Sequence, residues 1–237
     1  MTDGLLLVAK PAGVTSHDVV QQVRRKLGIR RVGHTGTLDP MAEGLLVILA
    51  GTATKHQRAL QGHEKLYEAS LRLGTQTDTG DATGAAIRTA PVPAPDPASL
   101  ARACAGLVGP LDQRPPAYSA IKVQGRPAYW WARRQQPLEL PSRTIHIHEL
   151  TPLSWAGEMV MFRVQCSAGT YVRTLGESLA ERLGTVGHLS RLVRLRIGAF
   201  RLEDALTSQA FEGLSAEAVR ERLRPVHDPA PGGACPA

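Results

Sequence analysis

The chain has 237 residues, 43% of them hydrophobic, enough for a sizeable core, which excludes a wholly disordered protein. No apolar run reaches the length of a membrane-spanning helix, and the start Met1-Thr2-Asp3-Gly4 lacks the basic region and cleavage site of a signal peptide. A cytoplasmic location without a membrane partner is therefore expected. Lys and Arg number 28 against 21 Asp and Glu, a net charge of +7, so a polyanion is the favoured partner.

The positive charge is also clustered. Arg24, Arg25, Lys26, Arg30 and Arg31 crowd one stretch, and from Arg182 to Arg201 there are arginines but no acid. Cys104, Cys166 and Cys235 are far apart and form no C-x-x-C pair, so isolated thiols are expected rather than a zinc site or disulfides.

In chain order, Gly4 to Ala9 reads as a buried strand stopped by Lys10-Pro11-Ala12-Gly13. Ser16 is the expected N-cap of a helix running to Leu27, with Val19, Val23 and Leu27 on one face and Gly28 as its stop. Leu45 to Ala50 and Leu66 to Leu73 read as strands. Thr75 to Gly84 reads as a polar loop, and the four prolines between Ala90 and Pro97 as a surface loop. Helices are expected over Ser99 to Leu107 and Arg126 to Arg134, with an irregular stretch from Arg114 to Ser119. Thr144 to Leu150 and Val160 to Cys166 alternate apolar and polar residues, as strands do. Tyr171 to Leu183 carries Leu175, Leu179 and Leu183 on one helical face, before a stop at Gly184. Leu189 to Phe200 returns to strand, and one short helix follows Gly213. The elements lack a strict βαβ rhythm. They predict an α+β fold, with a mixed, mainly antiparallel central sheet flanked by helices and loops.

Several constellations fail on spacing. Ser16-His17-Asp18 has the residue types of a hydrolase triad, but neighbours at a helix start point in different directions. His146 and His148 share a strand face without further ligands nearby in sequence. Asp78 and Asp81 miss the alternation of a calcium loop, and no phosphate-binding G-x-x-x-x-G-K-[ST] is present.

Four segments remain. Gly33-His34-Thr35-Gly36-Thr37-Leu38-Asp39-Pro40 is a tight loop with one acid, an odd choice beside an apolar run unless a partner satisfies it. Lys65-Leu66-Tyr67-Glu68 leads into Leu73-Gly74-Thr75-Gln76-Thr77-Asp78. Cys166-Ser167-Ala168-Gly169-Thr170-Tyr171-Val172-Arg173-Thr174 sets an arginine at a helix start. His188-Leu189-Ser190-Arg191-Leu192 lies in the basic stretch. Taken singly, Asp39 also reads as a helix cap, Arg173 as a surface charge and Tyr67 as a core residue.

In this order, the segments resemble the TruB family of tRNA pseudouridine-55 synthases. The resemblance spans about Leu5 to Leu206. It extends to Lys10-Pro11-x-Gly13-x-Thr15-Ser16, to Gly51-x-Ala53-Thr54-Lys55, to Gln113-x-Pro115-Pro116-x-Tyr118-Ser119-Ala120-x-Lys122 and to Gly198-x-Phe200. One departure is Ala9, where the family usually has Asp.

The resemblance implies a pseudouridine-synthase-like catalytic domain over residues 1–207, with an RNA-clasping insertion at about 114–143. The remaining 208–237 form a tail too short for the C-terminal PUA domain of many members. The implied activity is isomerisation of uridine 55 in the T-arm loop of tRNA by base flipping, without a cofactor or metal. Asp39 would be the nucleophile or base, and Arg173 its ion-pair partner. Tyr67 would stack on the flipped base and assist proton removal, Tyr171 and Leu192 would line the pocket, and His34 would contact the T-arm loop. A monomer working without guide RNA is expected. The other reading the residues allow is a tRNA-binding folding chaperone with secondary or no catalysis.

Overall fold

The computed structural model describes residues 3–136 and 138–226; Cys235 and the rest of the tail after residue 226 lie outside them. Strand β1 (Gly4–Lys10) leads through Thr15 into α1 (Ser16–Leu27). The N-cap is Thr15, one residue earlier than the sequence suggests. Its side chain accepts from the Asp18 N–H while Asp18 accepts from the Thr15 N–H, a reciprocal capping box. Ser16 is thereby released for another task. Gly28 ends the helix at φ 67°, its N–H donating to Arg24 O.

Next come β2 (Val32–His34) and β3 (Glu43–Ala50), a 3-10 helix at Gly51–His56, α2 (Gln57–Gln61) and β4 (Lys65–Leu73). The stretch read as a polar loop contains β5 (Thr75–Thr77), which pairs with β6 (Ala86–Thr89). Its polar composition hides the hairpin, because the turn is held by side chains. Asp78 Oδ1 accepts from Ala85 N–H, and Asp81 Oδ1 accepts from Thr79, Thr83 N–H and Thr83 Oγ1.

Helix α3 (Pro97–Ala105) starts two residues before the expected Ser99. Asp96 caps it, and Pro97 occupies a position where its missing N–H costs nothing. After β7 (Gly109–Gln113), which sequence patterning did not indicate, come β8 (Lys122–Val123), β9 (Arg126–Pro127) and the short α4 (Ala128–Ala132). Strands β10 (Arg143–Ala156) and β11 (Met159–Cys166) precede α5 (Val172–Arg182) and β12 (Gly187–Ile197). Last come β13 (Phe200–Arg201), a 3-10 turn at Leu202–Asp204, β14 (Leu206–Thr207), α6 (Ser208–Gly213) and α7 (Ala216–Glu221).

The chain divides into two compact units, one running to Leu66 and resuming at Val193, the other Tyr67–Leu192. In the first, strand order is β14-β1-β3-β12, with β2 on β3 and β13 on β12. β1 and β3 are antiparallel, and β12 joins β3 in parallel at Val193–Glu43 and Arg194–Gly44. Alternation puts Leu6, Val8, Leu46 and Ile48 in one core with Val19, Val20, Val23 and Leu27 of α1. Leu5, Leu7, Leu45, Val47 and Leu49 form another with Ala53, Leu60 and Ile197. Buried on both faces, these strands read as continuous apolar runs.

In the second unit the order is β12-β4-β11-β10-β7. Val160, Phe162, Val164 and Cys166 of β11 and Ile145 and Ile147 of β10 are buried, while His146 and His148 between them are exposed. Helix α5 packs closely here, since a Cβ on Gly176 would lie 2.9 Å from Leu189 and 3.4 Å from Leu71. The fold is α+β with a mixed, mostly antiparallel sheet, as the patterning predicts. No described helix is long and apolar enough to cross a membrane.

Candidate active site

The Asp39 loop lies in the first unit, between β2 and β3, and every carbonyl from Gly36 to Pro40 is engaged. Arg194 of β12, 1% exposed, donates from Nη2 to Gly36 O (3.0 Å), from Nη1 to Thr37 O (3.4 Å) and from Nε to Leu45 O (2.8 Å). Ser16 Oγ donates to Leu38 O at 3.0 Å and accepts from Leu38 N–H at 2.8 Å. Asp39 O accepts from Ala42 N–H. Pro40 O accepts from Gly13 N–H and, at 3.3 Å, from Lys10 Nζ, which also holds Pro11 O and Val14 O. A loop so pinned presents its single acid without a reorganisation cost.

These supports explain the sequence locally. Leu38 is buried and plugs the loop into the core, and the Thr35 N–H bonds Val47 O. Gly44 has φ 105°, and a Cβ there would lie 2.4 Å from Arg194 O, so only glycine lets β12 come close enough to aim its arginine. The triad types of Ser16-His17-Asp18 have separate tasks. Ser16 holds the loop, the His17 ring meets Gln21, and Asp18 caps α1.

Electrostatics follow from burial. Lys10 is 1% exposed, and loss of water lowers its pKa to about 8, although Asp39 and Glu43 pull it upward. His34, at the end of β2, is held below the ordinary imidazole value by burial and then by the Arg194 charge. Its Nδ1 accepts from Gly36 N–H (3.3 Å), so the neutral ring carries its proton on Nε2.

The other four residues singled out from sequence lie in the second unit. Tyr67 and Leu192, both buried, are its first and last residues, in β4 and β12. Tyr171 caps the start of α5. Its N–H donates to Gln113 Oε1 (2.7 Å), its carbonyl accepts from Gln113 Nε2 (3.0 Å), and the Arg143 guanidinium lies over its ring at 4.8 Å. Arg173, 3% exposed, donates to Thr79 O (2.6 Å) and Tyr118 O (2.9 Å), and its Nε lies 4.0 Å from Asp81 Oδ2. It is a buried, oriented cation and not a surface charge. The turn between β5 and β6 is therefore part of its mount.

Sequence reading missed Lys10, Ser16, Arg194, Gln113 and Asp81 as supports. Their residue types do not betray a positioning role, because the partners are mostly backbone groups far away in sequence. Among the described residues no group of three or more His, Cys, Asp and Glu side chains is placed to hold a metal ion.

The model of the TruB family pseudouridylate synthase N-terminal domain matches residues 24–172. The chain belongs to this family. It is 49% identical over 226 residues to the tRNA pseudouridine synthase B of Aromatoleum aromaticum, covering 95% of this chain and 73% of that protein. It is 45% identical to the Opitutus terrae protein of the same name, covering 97% and 95%. Among solved structures, it resembles a chain of a Cbf5-Nop10-Gar1 complex with a TM-score of 0.71 and 28% identity. That match covers 94% of this chain and 60% of the other. The Asp39 loop lies within the residues that the family model matches.

Proposed function

We propose that this TruB family chain isomerises uridine to pseudouridine in tRNA, at position 55 of the T-arm loop, with Asp39 as the catalytic carboxylate. The observation that carries this reading is the Asp39 loop, with five consecutive carbonyls bonded and one acid displayed, in a chain that shares family membership and up to 49% identity with named tRNA pseudouridine synthases. In the reaction the C1′–N1 glycosidic bond breaks, the uracil turns, and C1′ bonds to C5. The C5 proton leaves and N1 gains one, so the change is redox-neutral and nothing is released.

The target base must leave its stack to be reached. Tyr67 stacks on it and assists removal of the C5 proton. Tyr171 and Leu192 wall the pocket and exclude water. The family resemblance makes Arg173 the ion-pair partner of the catalytic carboxylate. His34, neutral and carrying its proton on Nε2, donates to the T-arm loop. These roles rest on the family resemblance. The buried, oriented state of Arg173 and the His34 tautomer support them. Residues 1–207 act as the catalytic domain and about 114–143 as the RNA clasp, where Arg134 stacks 3.6 Å over Trp130. The enzyme works as a cytoplasmic monomer, without guide RNA.

The test is Asp39→Ala on a T-arm stem-loop. Pseudouridine formation should vanish while binding stays within about tenfold, roughly 1.4 kcal/mol. Wild-type-like turnover in that variant would falsify the assignment. Wild-type protein that binds and refolds tRNA without isomerising it would favour the chaperone reading instead.

A further inference from the structure

Tyr171 is held at both its backbone and its ring, and the two side chains that hold it are neighbours. Gln113 ends β7, Arg143 opens β10, and the two face each other in the antiparallel ladder. They close the base of the insertion at about 114–143, and both reach across to the turn that leads into α5. Gln113, 3% exposed, uses its whole amide on one residue. Its Oε1 accepts from Tyr171 N–H at 2.7 Å, and its Nε2 donates to Tyr171 O at 3.0 Å. Arg143 Nη2 donates to Gly169 O, and its guanidinium lies 4.8 Å from the Tyr171 ring centroid. Gly169 has φ 85°, and a Cβ there would lie 3.3 Å from Arg143 Cζ, so glycine leaves the guanidinium its place.

Two features separate this clamp from ordinary support of the fold. Tyr171 O already accepts from Leu175 N–H at 3.1 Å, the first bond of α5, so the bond from Gln113 Nε2 is not needed to satisfy it. The turn is also anchored to β10 independently. Ser167 N–H donates to His146 O at 2.8 Å, and Ser167 Oγ accepts from His146 N–H at 2.9 Å. What Gln113 adds is a fixed orientation for the peptide groups that carry the Tyr171 side chain, and Arg143 adds a fixed face for its ring.

We propose that Gln113 and Arg143 are positioning residues for Tyr171, the first through its backbone and the second through its ring, so that the base of the insertion sets one wall of the substrate pocket. This rests on the proposed function, in which Tyr171 lines that pocket. A wall residue held in advance needs no ordering when the base enters, so the clamp acts on the chemical step more than on RNA affinity.

The experiment compares Gln113→Met, Gln113→Glu and Arg143→Met with the parent on a T-arm hairpin. Thr144→Val is the control, since it removes only the bond to Asp112 Oδ1 on the next rung of the same ladder. Gln113→Met keeps the length of the side chain and loses both bonds. It and Arg143→Met should lower kcat by about ten- to a hundredfold with KM within about threefold, and Thr144→Val should stay within about twofold in both. Gln113→Glu adds a pH signature. A protonated carboxyl accepts from Tyr171 N–H and donates to Tyr171 O as the amide does, whereas the ionised group sets an oxygen against that carbonyl. Its kcat relative to the parent should therefore fall as pH rises from about 5.5 to about 8.5. Should Gln113→Met not fold, this profile carries the same test. With fluorotyrosine in place of the four tyrosines, the fluorine NMR signal assigned by Tyr171→Phe should move in Gln113→Met and Arg143→Met but not in Thr144→Val. Losses confined to KM, a Gln113→Glu profile parallel to the parent's, or an unmoved Tyr171 signal would overturn the inference. Failure of the parent to isomerise the hairpin would remove the function itself, and the fluorine signals would still decide whether the clamp holds Tyr171.

Discussion

Arg194 shows what a single buried side chain does for the Asp39 loop. It donates to three carbonyls on two segments, and lysine, with one compact ammonium, cannot span the same fork. Arg194→Lys should fold but lower kcat by about ten- to a hundredfold with KM little changed, because a small misplacement of a reacting group is costly. Single-turnover assays alongside hairpin binding would check this; a variant that lost only affinity would refute it.

Lys10 gives a pH prediction with a definite sign. The folded chain releases its proton near pH 8, and the unfolded chain holds it to about 10.5. Between those values the unfolded state binds more protons, so this group makes stability rise with pH. Urea titrations across pH 7.5 to 9.5 should show that rise in the parent and a flatter profile in Lys10→Met. His34 has the same direction at lower pH. Its imidazole should titrate below its value in the urea-unfolded chain, as proton NMR would show.

Among elements, β3 is constrained most sharply. At Gly44 the chain takes φ 105° while the β12 backbone lies against the missing Cβ. Gly44→Ala combines a left-handed penalty with a clash, for a loss of about 3 kcal/mol or more. Its melting temperature should fall by roughly 10 °C, with activity lost as Arg194 moves. Helix α1 is more forgiving. Removing its capping box by Thr15→Ala should cost about 1 kcal/mol, unless Ser16 also shifts and releases Leu38, which a concurrent fall in kcat would reveal.

Legibility from sequence followed these elements closely. β1 and β3 are continuous apolar runs and β11 and α5 carry regular apolar periods, and each lies within a few residues of expectation, whereas β10 runs six residues past the expected Leu150, to Ala156. The β5–β6 hairpin and β7 were obscured because polar or proline-rich residues fill them and side-chain bonds or a neighbouring strand hold them. Thr15 and Ser16 are both good caps by type, and only the engagement of Ser16 with Leu38 decides between them.

At the scale of the whole molecule, a net charge of +7 and strips without acids make salt the informative variable. Affinity for a T-arm hairpin should fall steeply and log-linearly with salt. A flat response would remove phosphate binding from the arginine clusters. His34 and Asp39 belong to one unit, and Tyr67, Tyr171, Arg173 and Leu192 to the other. The sequence order of these residues carries the family resemblance.

By itself, the sequence determined the family, the α+β class, the main strands and helices, and the candidate acid, because periodicity and short motifs are local properties of the chain. The tertiary structure decided how that acid is held. Lys10, Ser16 and Arg194 are 29, 23 and 155 residues from Asp39, and they act on backbone carbonyls. A carbonyl leaves no mark in the amino-acid code, so its partners become visible only when the chain is folded.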